Sequence, residues 1–158
     1  MSPLSSSAQK IQNILTEYGY PYEVVEHTES TRTAQEAADQ AGCVLGQIVK
    51  SLIFRGKASG KPILVLASGP NRVNEKRIGE FAGEAIGKAD ADFVRAVTGF
   101  AIGGVPPIGL TEKMETFIDE DFQQHPSVWA AAGTPNAIFE LRTEDLQKMT
   151  GGRIVSIK

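Results

Sequence analysis

Apolar residues recur along much of the chain at the three- and four-residue spacing of amphipathic helices. The first such segment covers residues 5–18 and places Ile11, Ile14 and Leu15 on one face. Four more helices are predicted to begin at the capping residues Thr33, Asn74, Asp90 and Thr143, and to end near Gly42, Ala82, Val97 and Gly151. The first of these caps has a glutamate, Glu36, at the reciprocal position of a capping box.

Shorter runs rich in β-branched and aromatic residues lie between these helices and predict strands. The predicted strands cover residues 22–27, 50–55, 62–67, 115–119, 128–132, 137–141 and 153–157. Short loops at residues 56–61 and 133–136 join two pairs of them as hairpins. Because strands and helices mix without strict alternation, we expect one α+β domain over residues 1–158, built on a mixed or antiparallel sheet.

Composition narrows the classes of protein that fit. The 158 residues are enough for one domain with a sizeable core. No apolar run approaches the roughly 20 residues that span a bilayer, and the first seven residues lack the features of a secretory signal. We therefore expect a cytoplasmic protein without a membrane partner. A single cysteine, Cys43, excludes an internal disulfide and a cysteine-rich zinc site, and we expect it to be a small buried residue.

Charge is distributed unevenly along the chain. The net charge is −3, yet residues 50–77 contain seven basic residues and one acid, Glu75. That segment carries +6, and the remainder carries −9. Such asymmetry indicates either an anionic partner or simply a solvated surface.

Residues 98–109 form a loop with four glycines and two adjacent prolines, Pro106 and Pro107. Glycine allows close approach of the backbone, whereas proline fixes φ and removes an N–H donor. A stiff loop of this kind can aim its remaining N–H groups at an oxyanion or a phosphate. The alternative is a tight connection between two elements.

The usual catalytic motifs are missing from the sequence, because it has no G-x-S-x-G, H-E-x-x-H or G-x-G-x-x-G segment. His27 and His125 stand in no recognisable constellation, so we expect structural or solvent-facing roles. The acidic run 119–121 is predicted to be a solvated turn rather than a metal site. Lys50 enters an apolar strand, where its side chain either reaches the surface or points into a cleft.

A set of short motifs occurs along the chain in a familiar order. The motifs are Glu26-His27, Lys50-Ser51-Leu52, Thr98-Gly99-Phe100, Gly103 to Gly109, Thr116 to Asp119, Ala132-Gly133 and Phe139-Glu140-Leu141. With them the chain resembles the YbaK/ProX family of freestanding aminoacyl-tRNA deacylases, which are related to the editing domain of bacterial prolyl-tRNA synthetases. The resemblance covers about residues 8–157.

The resemblance implies a mixed sheet curled into a partial barrel, with helices around it. It also implies hydrolysis of the ester that joins a wrong amino acid to the 3′ ribose of tRNA, with no metal or organic cofactor. Lys50 falls on the family's functional lysine, and Gly103 and Pro107 fall on its Gly-x-x-x-Pro loop. Lys50 and Gly103 are therefore the catalytic candidates. The substrate-binding candidates are Thr31, Thr33, Gly104, Val105, Pro106, Pro107, Gly133 and Thr134.

The implied partner is the acceptor end of a mischarged tRNA, tRNA(Pro) first of all, and whether a synthetase also takes part is left open. The basic segment supplies the candidates for phosphate contact, which are Arg55, Arg72, Lys76 and Arg77. Loop 30–34 lacks the aromatic residue and loop 134–136 the basic pair that cysteine-editing members carry, and the second loop also lacks the histidine that alanine-editing members often have. The pattern is closer to members that clear alanine, 2-aminobutyrate, serine or threonine.

Two other functions remain compatible with these residues. One is a non-catalytic module of the same fold that docks on tRNA or on a synthetase. The other is a hydrolase for a small ester unrelated to tRNA, which the basic segment disfavours. Lys50, Gly103 and Pro107 argue against the docking module, because a scaffold alone has no evident need for them.

Overall fold

The computed structural model describes residues 4–158, which form five helices and eight strands. The helices are α1 Ser6–Glu17, α2 Ala34–Ala41, α3 Glu75–Ala82, α4 Ala91–Thr98 and α5 Thr143–Thr150. The strands are β1 Val24–Glu26, β2 Ile48–Gly56, β3 Pro62–Ser68, β4 Ile86–Lys88, β5 Glu115–Asp119, β6 Ser127–Ala131, β7 Ala137–Arg142 and β8 Arg153–Val155. Two 3₁₀ turns, Leu45–Gln47 and Glu120–Gln124, precede β2 and follow β5.

All eight strands belong to one mixed sheet, in the order β1-β7-β6-β2-β3-β5-β8, with β4 paired to the end of β2. The hairpin pairs β2–β3 and β6–β7 are antiparallel, whereas β2–β6, β3–β5 and β5–β8 are parallel. The predicted α+β class and both predicted hairpins are confirmed. Because β2 and β6 come from different hairpins, their parallel contact brings distant parts of the chain together.

The sheet buries both of its faces, because successive side chains of a strand point to opposite sides. Leu64 and Leu66 of β3 pack with α1 and with the glycine-proline loop that follows α4. Ile63, Val65 and Ala67 pack on the other face. Ile78 of α3, which is fully buried, belongs to the same cluster. Near-continuous burial of β3 is expected of a strand covered on both sides.

Local capping signals predicted three helix starts correctly. Thr33 forms both hydrogen bonds of a capping box with Glu36, and Asn74 and Asp90 each accept a backbone N–H from the first turn of their helices. The prediction for the last helix is wrong by one residue, since Arg142 is the N-cap of α5. The hydroxyl of Thr143 instead donates to the carbonyl oxygen of His125, at 2.6 Å.

The structure corrects two other expectations. Asp119 is not part of a solvated turn: it is 0 % exposed and accepts the backbone N–H of Ser68 through Oδ2, at 2.9 Å. Cys43 is only half-buried, and this burial raises the pKa of its thiol, which disfavours the thiolate. Strand β4 was not predicted, because three residues carry too short a pattern.

Within the described residues, no helix combines the length and the apolar character needed to cross a membrane. Two predictions extend to residues 1–3: that the domain begins at residue 1, and that the first seven residues lack the features of a secretory signal. Residues 1–3 lie outside the described part of the chain.

Candidate functional site

The candidate site lies where one edge of strand β2 is open. This strand pairs with β6 only through Ile48 and Val49, and with β4 only through residues 54–56. Between these short ladders, residues 50–53 have no strand neighbour on that side within the described chain. The gap leaves part of β2 accessible, and two adjoining cavities meet there.

The smaller cavity has a volume of about 260 Å³ and lies between β2, the loop before α2 and the glycine-proline loop. Five residues predicted from the sequence line it: Thr31, Thr33, Lys50, Gly103 and Val105. The rest of its wall is mostly apolar and includes Ile48, Ile102, Trp129, Ala131 and Ile138. A cavity of this size and character suits a small organic group.

The larger cavity has a volume of about 510 Å³ and extends towards the loop between β3 and α3. Arg72, Glu75 and Lys88 line it, beside apolar side chains of β2 and α4. Five residues line both cavities, and they are Lys50, Ser51, Leu52, Ile102 and Val105. A ligand with one part in each cavity would therefore have its connecting bond beside Lys50.

The side chain of Lys50 is half-buried at the boundary of these cavities. Its Nζ donates a hydrogen bond of 2.6 Å to the backbone carbonyl oxygen of Asn71. Burial lowers the pKa of Lys50 below that of an ordinary lysine, and the charge of Asp119 partly opposes this shift. One of three ammonium donors is thus occupied, and no acceptor among the described residues takes the other two.

The glycine-proline loop turns tightly at Gly103, whose φ is +94°. The backbone N–H of Gly104 donates to the carbonyl oxygen of Ala101, at 3.1 Å, so it is used within the loop. In the described part of the chain, the N–H groups of Gly103 and Val105 have no protein acceptor. Both residues line the smaller cavity, so their N–H groups are the candidate donors for an oxyanion there.

The other predicted loop residues lie behind the cavity rather than along it. The backbone N–H of Gly133 donates to the carbonyl oxygen of Gly104, at 2.9 Å. A Cβ on Gly104 would lie only 2.9–3.0 Å from backbone atoms of Thr134. Pro106 and Pro107 are buried. These contacts hold the glycine-proline loop against the β6–β7 turn.

Comparison with known sequences identifies the family. A sequence model of the aminoacyl-tRNA editing domain matches residues 28–149, which are more than half of the chain. The chain belongs to this family. The resemblance recognised from the sequence motifs is confirmed, and with it the class of function, hydrolytic editing of aminoacyl-tRNA.

Relatives of the chain include freestanding proteins and parts of synthetases. A crystal structure described as a "putative trans-editing enzyme for prolyl tRNA synthetase" is 43% identical, with a TM-score of 0.92 and 99% of each chain covered. The Enterococcus faecalis protein EbsC, described as a "putative Cys-tRNA(Pro)/Cys-tRNA(Cys) deacylase", is 25% identical over 91% of this chain and 89% of its own. Proline–tRNA ligase of Limosilactobacillus fermentum is 32% identical over 61% of this chain and 18% of the ligase.

The basic residues of this editing domain do not form one cluster. Arg72 lines the larger cavity. The guanidinium of Arg55 lies 4.6 Å from the ring centroid of Phe93, towards the end of β2. Lys76 and Arg77 lie on α3 and line neither cavity. Of the four predicted phosphate-binding residues, only Arg72 lines a cavity together with Lys50.

Sequence reasoning missed several residues in and around the candidate site. Arg32 packs against the loop, since a Cβ on Gly103 would lie 2.6 Å from its Cγ. Ser51 lines both cavities, and its buried Oγ has no hydrogen-bond partner among the described residues. Asn71 holds Lys50 through a backbone atom, for which the sequence carries no signal. Asp119, at the end of a predicted strand, was the one residue whose position could have suggested a buried role.

Proposed function

We propose that this protein hydrolyses the ester bond of mischarged aminoacyl-tRNA in trans, with tRNA(Pro) carrying a small non-cognate amino acid as the substrate. The observation that carries the proposal is that Lys50 and Gly103, from distant segments, line one small cavity. The proposal treats the chain as a single editing domain that acts in the cytoplasm on charged tRNA.

The chemistry requires stabilisation of negative charge more than a side-chain nucleophile. A water oxygen attacks the ester carbonyl carbon, and the carbonyl oxygen becomes an oxyanion. The intermediate collapses with cleavage of the bond to the ribose oxygen, which leaves with a proton as the hydroxyl of tRNA, and the amino acid is released. Loss of one N–H donor from such an oxyanion site typically costs about 2.7–4 kcal/mol.

The donors for that oxyanion are the N–H groups of Gly103 and Val105, and Lys50 adds positive charge beside them. Within the described residues, no histidine, cysteine or carboxylate lines the smaller cavity. Proton transfer then falls to water and to the ribose hydroxyl of the substrate itself, which the family resemblance also implies. Positioning and electrostatics carry the rate in such a site.

The two cavities suit the two halves of the substrate. The aminoacyl group would occupy the smaller one, whose volume of about 260 Å³ favours a small side chain. The terminal nucleoside would occupy the larger, mostly apolar one, where Arg72 and Lys88 can reach its phosphate. The ester then lies beside Lys50. Since one methylene is worth about 1–3 kcal/mol in an apolar pocket, shape alone separates alanine from 2-aminobutyrate only modestly.

The test is deacylation of tRNA(Pro) charged with alanine, cysteine, serine, threonine, 2-aminobutyrate or proline, with and without prolyl-tRNA synthetase. Wild type is compared with Lys50→Ala and with Lys148→Ala, a matched change of an exposed lysine on α5. Rapid loss of one non-cognate amino acid that Lys50→Ala abolishes and Lys148→Ala preserves would support the proposal. Binding of tRNA without turnover would favour a docking module. If the protein neither binds nor deacylates any of these charged tRNAs, tRNA is refuted as the substrate.

A further inference from the structure

A hydrogen-bond network behind Lys50 ends in a buried carboxylate. The backbone carbonyl oxygen of Asn71 accepts from Lys50, as described above. The side-chain amide of Asn71 donates to Asp119 Oδ2 at 2.8 Å and to Asp121 Oδ2 at 2.6 Å. Asp121 in turn pairs with the ammonium of Lys158, at 3.0 Å. Asn71 therefore joins Lys50 on β2 to the end of β5.

The orientation of the Asn71 amide follows from its partners. An ionised carboxylate only accepts hydrogen bonds, so the group that faces Asp119 and Asp121 must be the NH₂ group, which has two donors. Both donors are used. The backbone N–H of Asn71 also donates to the carbonyl oxygen of Ser68, at 2.9 Å. Side chain and backbone of Asn71 are thus held from both ends.

Asp119 is the fixed point of this network. It is 0 % exposed, and its oxygens accept three N–H groups, from the backbones of Ser68 and Asp121 and from the side chain of Asn71. A buried carboxylate with this many donors has little freedom to move. The position of the Asn71 carbonyl, and with it that of the Lys50 ammonium, follows from that of Asp119.

Lys50 needs such a support because no carboxylate holds it directly. Within residues 4–158, no Asp or Glu oxygen lies within 4.0 Å of its Nζ. The other charged groups around it are Arg72, Glu75 and Lys88, in the larger cavity, and Arg32, in the smaller. Burial disfavours the charged form of Lys50 and lowers its pKa. Asp119 supplies the opposing negative charge.

We propose that Asn71 and Asp119 are positioning residues of the editing site, which hold the Lys50 ammonium at the boundary of the two cavities. Asp119 lines neither cavity, and Asn71, which lines the larger one, acts on Lys50 through its backbone carbonyl oxygen. This inference rests on the role proposed for Lys50 above, so its test includes Lys50 itself.

The kinetic test compares Asn71→Ala, Asn71→Asp and Asp119→Asn with wild type, Lys50→Ala and Asn13→Ala. Asn13 is an exposed residue of α1, so its variant is the matched control for loss of an asparagine side chain. We expect Asn71→Ala to lose about ten- to a hundredfold in kcat with a smaller change in KM, because misplacement of about 1 Å can cost a hundredfold. Asn71→Asp should be worse than Asn71→Ala, because it puts a third carboxylate beside two others.

A second measurement does not depend on catalysis. NMR titration of the Lys50 Nζ in the folded protein gives its pKa directly. Removal of the Asp119 charge should lower the pKa of Lys50 in Asp119→Asn, since that charge favours the protonated ammonium. General loss of stability would not shift the pKa of the molecules that remain folded, and if Asp119→Asn does not fold, the Asn71 variants still decide the matter.

The outcomes separate the two proposals. An active Lys50→Ala protein would overturn the role proposed for Lys50. An inactive Lys50→Ala protein together with wild-type kcat in both Asn71 variants would overturn only the positioning inference. An unchanged Lys50 pKa in folded Asp119→Asn would overturn the electrostatic link. Loss of kcat in the Asn71 variants, with Asn13→Ala unaffected, would support the inference.

Discussion

Replacement of Gly104 by alanine tests whether the contact between the glycine-proline loop and the β6–β7 turn sets the geometry of the site. A Cβ on Gly104 would lie 2.9–3.0 Å from the backbone N, Cα and C atoms of Thr134, where ordinary contacts begin at 3.4 Å. The obstacle is backbone, which cannot rotate away as a side chain can. The two loops must therefore separate by about 0.5 Å, because a close-packed interior has no free space to absorb the methyl group.

That separation has two measurable consequences. Overpacking of this kind costs about 1–3 kcal/mol of folding free energy. Each kcal/mol lowers Tm by about 2–4 °C in a domain of this size. The hydrogen bond from the Gly133 N–H to the Gly104 carbonyl lengthens as well, and the adjacent Gly103 N–H moves away from the oxyanion. Since about 1 Å of misplacement can cost a hundredfold, we expect a loss of kcat on the order of tenfold.

The assay is single-turnover deacylation of the best substrate, well below Tm, together with thermal unfolding. Gly87→Ala is the matched control, because a Cβ there would meet only the flexible end of the Lys57 side chain, at 3.3 Å. We expect this control to keep both Tm and kcat close to wild type. If Gly104→Ala kept wild-type Tm and kcat, the loop contact would have no part in the site geometry, and the reasoning would be refuted.

Three further predictions concern other parts of the chain. Burial and the hydrogen bond that its phenol donates to Asp145 raise the pKa of Tyr22 to about 12. This value exceeds the pKa of about 10 of an unfolded tyrosine, so the folding free energy that wild type gains over Tyr22→Phe should be fully present below about pH 10. It should be lost as pH rises through the folded-state pKa. Urea unfolding at several pH values measures this gain, and a difference in midpoints that stays constant with pH would contradict the prediction. Thr33→Ala removes a capping box and should cost about 1 kcal/mol by urea unfolding, whereas Thr33→Ser should recover most of it, and equal losses would exclude the cap as the cause. Arg72→Ala should weaken tRNA binding and reduce the slope of log binding constant against log salt concentration by about 1, which is more than Arg77→Ala does. Equal effects of the two changes would show that tRNA does not contact the larger cavity.

Much of the fold could be predicted because its signals are local. The cap residues Thr33, Asn74 and Asp90 accept hydrogen bonds from N–H groups only three positions away, so their effect depends little on the rest of the chain. The failed cap at Thr143 shows the limit of this rule. Its hydroxyl has a tertiary partner, the carbonyl oxygen of His125, and that contact overrides the local preference.

The candidate site divides in the same way. Lys50 and Gly103 could be selected from motifs, and both line the smaller cavity. The motifs could not separate loop residues that line the cavity from those behind it, such as Gly104 and Gly133. Whether a loop residue lines the cavity or lies behind it depends on which of its atoms contact the β6–β7 turn, and the composition of the loop does not specify those contacts. The contact between Asn71 and Lys50 could not be predicted from the sequence, because it uses the backbone carbonyl oxygen of Asn71, which every residue type has.

By itself the sequence determined the five helices, every strand except β4, the α+β class and the family, because these depend on short-range pattern and on motifs in order. Only the tertiary structure decided that β2 has an open edge at residues 50–53, that two cavities meet there at Lys50, and that Asp119 is buried. The physical reason is distance along the chain. The gap arises because β6 and β4 pair with opposite ends of one strand, and such pairings bring together residues many positions apart, which no local spacing can specify.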